Sequence, residues 1–254
     1  MKYIDLNCDM GEIPAMLVDG SQARLMRYIT SANVACGGHA GDAEMMRATV
    51  EQAVAAGVAV GAHPGYEDRE NFGRIERKLP REEIAESVFR QVVALDEIAK
   101  SCDAQVVHVK PHGALYNQAA REVEIARAIA DGVARWSSKV VMVGLAGSAM
   151  LQEFRRAGFA VAAEAFADRR YELDGSLRSR KFADALLGGP EEAAAQALRI
   201  VEQGSVLTLG GETVPLEAQT ICIHGDTPGA LQIAEALNKA LRGAGITLTE
   251  LAIK

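Results

Sequence analysis

Several features that define large classes of protein are scarce in this sequence. Its 254 residues include only four cysteines, which lie far apart and form no C-x-x-C pair: Cys8, Cys36, Cys102 and Cys222. Such spacing argues against a disulfide framework or a zinc site, and it indicates free thiols in a reduced cytoplasm. No apolar run reaches the roughly 18 residues needed to cross a bilayer, and the charged first dozen residues are unlike a signal peptide.

The chain also lacks an excess of positive charge. It has 27 Lys and Arg against 34 Asp and Glu, a formal net charge of −7. Nucleic acids and anionic membranes bind proteins through a basic face, so neither is expected as a partner. Apolar residues make up 49% of the chain, which is enough for the core of one large domain.

Short apolar runs alternate with helical patterns along the whole chain. The predicted strands are 3–8, 33–37, 58–63, 105–110, 139–147, 159–166 and 220–226. The predicted helices are 22–29, 43–57, 81–101, 124–136, 148–158, 190–204 and 229–245. A small hairpin is predicted over 205–216, and the tail 246–254 is expected to add an edge strand or to cover the barrel.

This alternation predicts an α/β fold with a parallel sheet and right-handed crossovers. A closed or nearly closed (β/α)7 barrel fits the seven strands best, with an open doubly wound sheet as the alternative. The sequence contains no low-complexity linker, so we predict one domain over residues 1–254.

Polar residues gather where the predicted strands end, which is where both architectures bind ligands. In chain order they include Asp5, Asn7, Asp9, Glu12, His39, Asp42, His63, Lys110, His112, Glu164, Asp168, Arg169, Arg170, His224 and Asp226. Four of the five histidines lie at such exits, and none lies on a predicted helix. The shared position favours one common site.

Several of these residues also have plain structural explanations. His108 has apolar neighbours and fits a satisfied interior residue. Asp5 and Asn7 share one face of the first strand, which fits a buried hydrogen-bond network as well as a catalytic pair. Asp42 is suited to cap the following helix. The glycines at 37–41 match neither a Walker loop nor a dinucleotide-binding fingerprint.

Carboxylates, imidazoles and a lysine together suit two kinds of chemistry. One is acid/base hydrolysis, in which Asp or Glu activates water and Lys stabilises the developing oxyanion. The other is metal-assisted hydrolysis, with Asp9, His63 and His112 as candidate ligands. The chain has no H-E-x-x-H motif, so local spacing gives the metal no support and a divalent cation is left open.

Six motifs resemble those of the LamB/YcsF family and occur in the family's order over nearly the whole chain. They are DLNCDMGE (5–12), SANVACGGHAGD (31–42), GAHPGYEDRENFGR (61–74), HVKPHGALYN (108–117), EAFADRRY (164–171) and CIHGDTPGAL (222–231). One departure is Gly38, where the family leads us to expect a bulky aromatic residue.

The resemblance implies a fold and an activity. The expected fold is a distorted TIM barrel of the glycoside hydrolase/deacetylase type. The expected activity is that of an A subunit of ATP-dependent 5-oxoprolinase, in which the complex hydrolyses 5-oxo-L-proline to L-glutamate and cleaves ATP to ADP and phosphate. Subunits B and C are the implied partners, and self-association of the chain is left open.

The resemblance also implies roles for residues. Asp9 or Glu12 would activate water, Lys110 would hold phosphoryl or carboxylate oxygens, and His112 would protonate the departing ring nitrogen. The implied substrate-binding residues are Asp5, Asn7, His39, His63, Tyr116, Asn117, Arg169, Arg170 and His224.

Two other functions stay open at this point. One is a metal-dependent carbohydrate or N-acyl deacetylase, which the implied fold suggests. The other is a subunit that only binds a lactam or a sugar. The number of carboxylates beside histidines argues against a pure binder, because binding alone needs fewer titratable groups.

Overall fold

Seven parallel strands close on themselves in the computed structural model, which describes residues 2–225, 227 and 229–251. The strands are β1 (Tyr3–Met10), β2 (Ser31–Ala35), β3 (Ala59–His63), β4 (Val106–Val109), β5 (Val141–Leu145), β6 (Ala160–Phe166) and β9 (Thr220–Ile223). They pair in this order, and β9 pairs with both β6 and β1. The predicted (β/α)7 barrel is confirmed, and the open sheet is wrong.

Helices follow the strands and pack around the barrel. They are α1 (Pro14–Val18), α2 (Ser21–Met26), α3 (Ala43–Ala56), α4 (Arg81–Ser101), α5 (Gly113–Arg121), α6 (Val123–Ala134), α7 (Ala149–Arg156), α8 (Pro190–Gln203) and α9 (Ala230–Gly243). α1 and α5 were not predicted. None of the described helices is both long and apolar enough to cross a bilayer.

Local signals in the sequence explain where several helices begin and end. α4 has its predicted bounds because its apolar face repeats at helical spacing, with Ile84, Val88 and Leu95 buried. α3 begins as predicted at Asp42, whose Oδ1 accepts a hydrogen bond of 2.9 Å from the Met45 amide. It ends at Gly57, which adopts the left-handed conformation that glycine favours.

Three short strands lie outside the closed barrel. β7 (Ser205–Leu207) and β8 (Thr213–Pro215) form the predicted antiparallel hairpin. In the tail, β10 (Thr247–Leu248) adds to β1 in parallel. Leu251 then packs against barrel residues Val141, Val143 and Ala162, so the described part of the tail both adds a strand and covers the barrel. Residues 252–254 of the predicted tail and Asp226 lie outside the described residues.

The barrel interior is polar along one line of β1. Asp5 and Asn7 are both buried, as expected for two residues on the same face of a strand. His108 from β4 is fully buried, and its Nε2 lies 2.7 Å from Asn33 Oδ1. The prediction of an interior histidine is therefore confirmed.

Gly61 on β3 provides the space for this imidazole. A Cβ atom on residue 61 would lie 2.0 Å from His108 Nε2, which no rotamer change of a methyl group relieves. The interior of the barrel therefore requires glycine at 61 for as long as residue 108 is histidine.

We expect Gly61→Ala to lower the free energy of unfolding by about 1–3 kcal/mol, because the added methyl overlaps the His108 ring. His108→Ala should remove most of this penalty, giving a favourable coupling energy in a double-mutant cycle measured by urea unfolding. Gly243→Ala, where nothing lies within 4 Å of the added Cβ, is the matched control and should be neutral or stabilising. Additive effects of the two barrel substitutions would contradict this explanation.

Candidate active site

The polar residues named from the sequence meet at the carboxyl end of the barrel. Asp9 lies near the end of β1 and Glu12 just beyond it, His63 is the last residue of β3, and Lys110 and His112 follow β4. Parallel strands in a closed barrel bring these chain-distant positions to one rim. The structure places Asp9, Glu12, Lys110 and His112 in a single buried cluster with His39 and His63.

A buried ammonium group links three strands. Lys110 Nζ lies 2.9 Å from Asp9 Oδ1 and 2.9 Å from Glu164 Oε1. It also lies 3.2 Å from Asn7 Oδ1 and 3.1 Å from Cys222 Sγ. The side chain is only 3% exposed, so its charge depends on these partners and not on water.

The neighbours fix the protonation states of this pair of charges. Burial alone would lower the pKa of Lys110, but Asp9, Cys222 and Glu164 raise it well above its ordinary value. Burial would likewise raise the pKa of Asp9, but His63 and Lys110 hold it well below its ordinary value. At neutral pH the cluster therefore contains a lysine cation and an Asp9 carboxylate.

Three imidazoles surround the Glu12 carboxylate. Glu12 Oε1 lies 2.9 Å from His39 Nε2, 3.2 Å from His112 Nδ1 and 3.8 Å from His63 Nε2. Burial would raise the pKa of Glu12, but its contacts with His112 and His39 lower it below its ordinary value. Burial also lowers the pKa of His39 to about 4, so this ring is neutral near pH 7.

Backbone carbonyls fix which nitrogens of two histidines face the cluster. His63 Nδ1 lies 2.7 Å from the Lys110 carbonyl oxygen, and His112 Nε2 lies 2.9 Å from the Phe72 carbonyl oxygen. A carbonyl only accepts hydrogen bonds, so both of these nitrogens carry protons. The other nitrogens, His63 Nε2 and His112 Nδ1, lie 3.0 Å apart.

A tight turn after β3 holds these rings. Phe72 has a φ of 54°, which is uncommon for a residue other than glycine. Its ring contacts His39 and His112 edge-on, with centroids 5.6 and 5.5 Å away. A Cβ on Gly73 would lie 2.7 Å from His39 Cβ, so the backbone approaches the histidines too closely for a larger residue.

His224 lies in a neighbouring group at the same rim. Its Nδ1 is 3.0 Å from Asp168 Oδ1, and its ring stacks on Phe166 with centroids 5.4 Å apart. His224 lowers the pKa of Asp168 against the effect of burial. Phe166 also faces the Lys110 ammonium at 5.7 Å, so the His224 group adjoins the lysine.

Hydroxyl and amide groups pair with the deeper residues of β1. Asp5 accepts hydrogen bonds from the hydroxyl groups of Thr30, Ser31 and Thr220. Burial nevertheless raises the pKa of Asp5 to about 6. Asn7 Oδ1 accepts a hydrogen bond of 2.7 Å from Asn33, so this pair supports the cluster from below.

The remaining residues named from the sequence lie in different surroundings. Tyr116 is buried, and its ring packs edge-on against Phe166. Asn117 is exposed on α5, so the structure does not bring it into the cluster. Arg169 is buried and donates a hydrogen bond of 2.7 Å to the Arg178 carbonyl. Arg170 Nη2 lies 3.6 Å from Glu192.

Three members of the cluster were assigned no role from the sequence. Glu164, Cys222 and Asn33 each contact Lys110 or Asp9. Glu164 and Cys222 lie in motifs quoted above, and the signal for both was a polar or thiol group near a strand end. Which face of the strand they occupy depends on the register around the closed barrel, and no local pattern gives it.

The glycine at position 38 is explained by a residue from α4. A Cβ on Gly38 would lie 2.4 Å from Gln91 Oε1 and 2.8 Å from the Gly65 carbonyl oxygen. Gln91 exchanges two hydrogen bonds with the Gly65 backbone, of 2.8 and 3.0 Å. The Gln91 amide thus fills the space beside His39 in place of the expected aromatic ring.

Comparisons with known proteins give matches over nearly the whole chain. The model of the LamB/YcsF family matches residues 4–254. A protein of Chloroflexus aggregans (strain MD-66 / DSM 9485) named as the A subunit of 5-oxoprolinase is 49% identical over 248 residues, covering 98% of each chain. One of the same name from Tolumonas auensis (strain DSM 9187 / NBRC 110442 / TA 4) is 47% identical, covering 98% of this chain and 99% of its own. The crystal structure of a lactam utilization protein from Thermus thermophilus superposes with a TM-score of 0.91 at 41% identity, covering 99% of this chain and 100% of its own.

The raised pKa of Asp5 predicts a specific pH dependence of stability. Asp5 has a higher pKa in the folded chain, about 6, than its ordinary value near 4, so the folded state binds the proton more tightly. Its contribution to the free energy of unfolding should therefore fall by about 2 kcal/mol as the pH rises from 4 to 7. Urea unfolding of wild type and Asp5→Asn should show this change as a pH-dependent difference.

Asp103→Asn is the control, because Asp103 is exposed. Its difference from wild type should stay within about 0.5 kcal/mol at both pH values. A difference between wild type and Asp5→Asn that does not vary with pH would contradict the burial effect.

Proposed function

Because the chain belongs to the LamB/YcsF family, we propose that it is the ring-opening A subunit of an ATP-dependent 5-oxoprolinase. The substrate is then 5-oxo-L-proline, and the product is L-glutamate. The observation that carries the proposal is the buried Lys110 ammonium between Asp9 and Glu164 at the barrel mouth. Charged groups held in a dry site are suited to stabilise charge that develops during amide cleavage.

Activation by ATP explains why such a site needs partners. In the proposed reaction the lactam oxygen attacks the γ-phosphorus of ATP, ADP leaves, and an O-phosphorylated ring forms. Water adds to the ring carbon, the C–N bond breaks as the nitrogen gains a proton, and a second water releases phosphate from the acyl phosphate. Each turnover consumes two waters.

We assign the phosphorylation to the partner subunits B and C. The sequence contains no Walker loop, so ATP is expected to act at the partners and the activated ring at this barrel. Consumption of ATP and the four free thiols of the chain both fit a reduced cytoplasm.

Lys110 and Asp9 have different tasks in this proposal. Lys110 keeps its positive charge because its pKa is raised, and it is assigned to the oxygen that carries the phosphoryl group. Asp9 is a weak base because its pKa is low, so it is assigned to orient the attacking water together with Asn33. His112 can serve the ring nitrogen only through Nδ1, because Nε2 donates to the Phe72 carbonyl.

Arg169 is the best-placed anion-binding residue. The residue is only 7% exposed, and its Nε is buried without a hydrogen-bond partner among the described residues. No ion pair to a carboxylate is found for it in the described part of the chain. Burial, and then Arg180, lower its pKa to about 10, so it is still a cation at neutral pH. We assign Arg169 to bind the carboxylate of 5-oxoproline. The negative charge of this carboxylate would pair with the guanidinium.

The first test is glutamate release from 5-oxoproline and ATP by the chain with candidate B and C subunits. Asp9→Asn should lower kcat about 10²–10⁴-fold, because the attacking water loses its orienting charge. Binding of 5-oxoproline, measured by calorimetry, should change little. The matched control is Asp96→Asn, since Asp96 is equally buried but pairs with Lys100 and Trp136 outside the barrel mouth.

Unchanged turnover in Asp9→Asn would contradict the enzymatic role and favour a subunit that only binds the lactam. Release of glutamate by subunits B and C without this chain would also overturn the proposal.

The second test concerns the carboxylate. Arg169→Met should raise KM for 5-oxoproline about 10–100-fold, the value of a charge-assisted hydrogen bond lost from a buried site. Arg170→Met is the control, because Arg170 already pairs with Glu192, and its KM should stay within about twofold. Binding of 2-pyrrolidinone, which lacks the carboxylate, should be the same for wild type and Arg169→Met. A loss of 2-pyrrolidinone binding would assign Arg169 to the ring or to the fold instead.

A further inference from the structure

Two lone pairs face each other inside the histidine cluster. His63 and His112 each use one ring nitrogen to donate to a backbone carbonyl. When both rings are neutral, the nitrogens that face the cluster are therefore both acceptors, and they lie 3.0 Å apart. Two acceptors at this distance repel each other unless a positive charge lies between them.

The spacing of the surrounding donor atoms identifies the charge that fits. His63 Nε2, His112 Nδ1 and Glu12 Oε1 form a triangle with sides of 3.0, 3.2 and 3.8 Å. Asp9 Oδ2 lies 3.3 Å from His63 Nε2. Ligands 2.0–2.1 Å from a tetrahedral zinc ion are about 3.3 Å from one another. We propose that Glu12, His63 and His112 bind one divalent cation of the zinc class, with Asp9 at its edge.

The groups behind these ligands support a cation in the same place. The Lys110 and Phe72 carbonyls orient the two imidazoles. His39 also has the spacing of a ligand, but its buried Nδ1 has no hydrogen-bond partner among the described residues. We therefore assign the proton of the neutral ring to Nε2, which donates to the Glu12 carboxylate at 2.9 Å. Metal-binding histidines and carboxylates are typically held by such outer hydrogen bonds, which keep the metal-facing nitrogen free of a proton.

The charges of the cluster favour a divalent ion over a single shared proton. With neutral imidazoles, the three carboxylates of Asp9, Glu12 and Glu164 and the one ammonium of Lys110 leave a formal charge of −2. A divalent cation cancels this charge, whereas one proton cancels half of it. Glu12 is 9% and Asp9 11% exposed, so the site opens to the barrel mouth.

In a second group of possible ligands at the rim, the Lys110 ammonium already occupies the place of a cation. Asp9, Cys222 and His224 also have suitable spacing. However, the Lys110 ammonium lies 2.9 Å from Asp9 and 3.1 Å from Cys222, and His224 pairs with Asp168. Only the second group contains sulfur, so a measurement that detects sulfur ligands distinguishes the two groups.

The proposed metal site changes the role that His112 can have in the proposed function. Any part of the metal ion in ring opening rests on that proposed function. A metal ion on Nδ1 would occupy the one nitrogen through which His112 could protonate the substrate. The two roles exclude each other, and binding can be measured on the chain alone, without substrate or partner subunits.

The experiment titrates the purified chain, first stripped with a chelator, with Zn²⁺ in a calorimeter. We expect one Zn²⁺ per chain, and at least about 100-fold weaker binding in Glu12→Gln and His112→Gln. His224→Gln is the matched control, because it removes a histidine from the second group, and its affinity should stay within about threefold. Melting curves recorded without metal should show that the variants are folded.

X-ray absorption at the zinc edge of the loaded wild type gives a readout that does not depend on the variants. Two imidazole ligands and no sulfur are expected. Less than one tightly bound ion per chain, a sulfur ligand, or equal losses in His224→Gln and Glu12→Gln would overturn the assignment. Glutamate release by the reconstituted complex tests the proposed function separately, whether or not the ion binds.

Discussion

The buried ion pair between Lys110 and the carboxylates of Asp9 and Glu164 is the interaction on which the rim of this barrel depends. An ammonium ion removed from water loses several kcal/mol of solvation, which only close opposite charges recover. Here the recovery comes from β1 and β6, whereas the lysine follows β4. The pair exists only when the barrel is closed, so the charged site and the closed sheet require each other.

The histidine cluster follows from the same arrangement. Asp9 contacts Lys110 through one carboxylate oxygen and His63 through the other. Glu12 in turn contacts His39 and His112 through Oε1. The rings can lie this close because the chain beside them is glycine-rich, as at Gly65 and Gly73. What resembles an ordinary polar loop in the sequence is a set of imidazoles packed directly against backbone.

Much of this could be predicted from the sequence, because the relevant signals are local. Strand and helix alternation predicted the barrel, and α4 was predicted with its bounds because its apolar face is regular over 21 residues. Lys110 and four of the five histidines were placed at strand exits, where the structure has them, and His108 was placed in the interior. The second strand was predicted two residues late. It spans Ser31–Ala35, and the chain turns away at Gly37, whose φ of 91° is not that of a strand.

What could not be predicted depends on contacts between distant segments. Cys222 and Glu164 contact Lys110 because of the register of seven strands. Gln91, which lies more than 50 residues after Gly38 in the chain, fills the space of the expected aromatic ring. α5 was not predicted, and its first residues lie inside the motif HVKPHGALYN, which carries polar groups directly after a strand. The orientation of the His63 and His112 lone pairs could not be predicted either, because the backbone carbonyls of Lys110 and Phe72 set it.

The contact between Gly61 and His108 constrains the order in which this barrel can change over evolution. A methyl at 61 overlaps the imidazole, so the same substitution is harmful or harmless according to what position 108 already carries. A lineage that shrinks residue 108 first can later accept a larger residue at 61, whereas the reverse order passes through a destabilised intermediate. Relatives with a side chain at position 61 should therefore be found only among those that have lost the interior histidine.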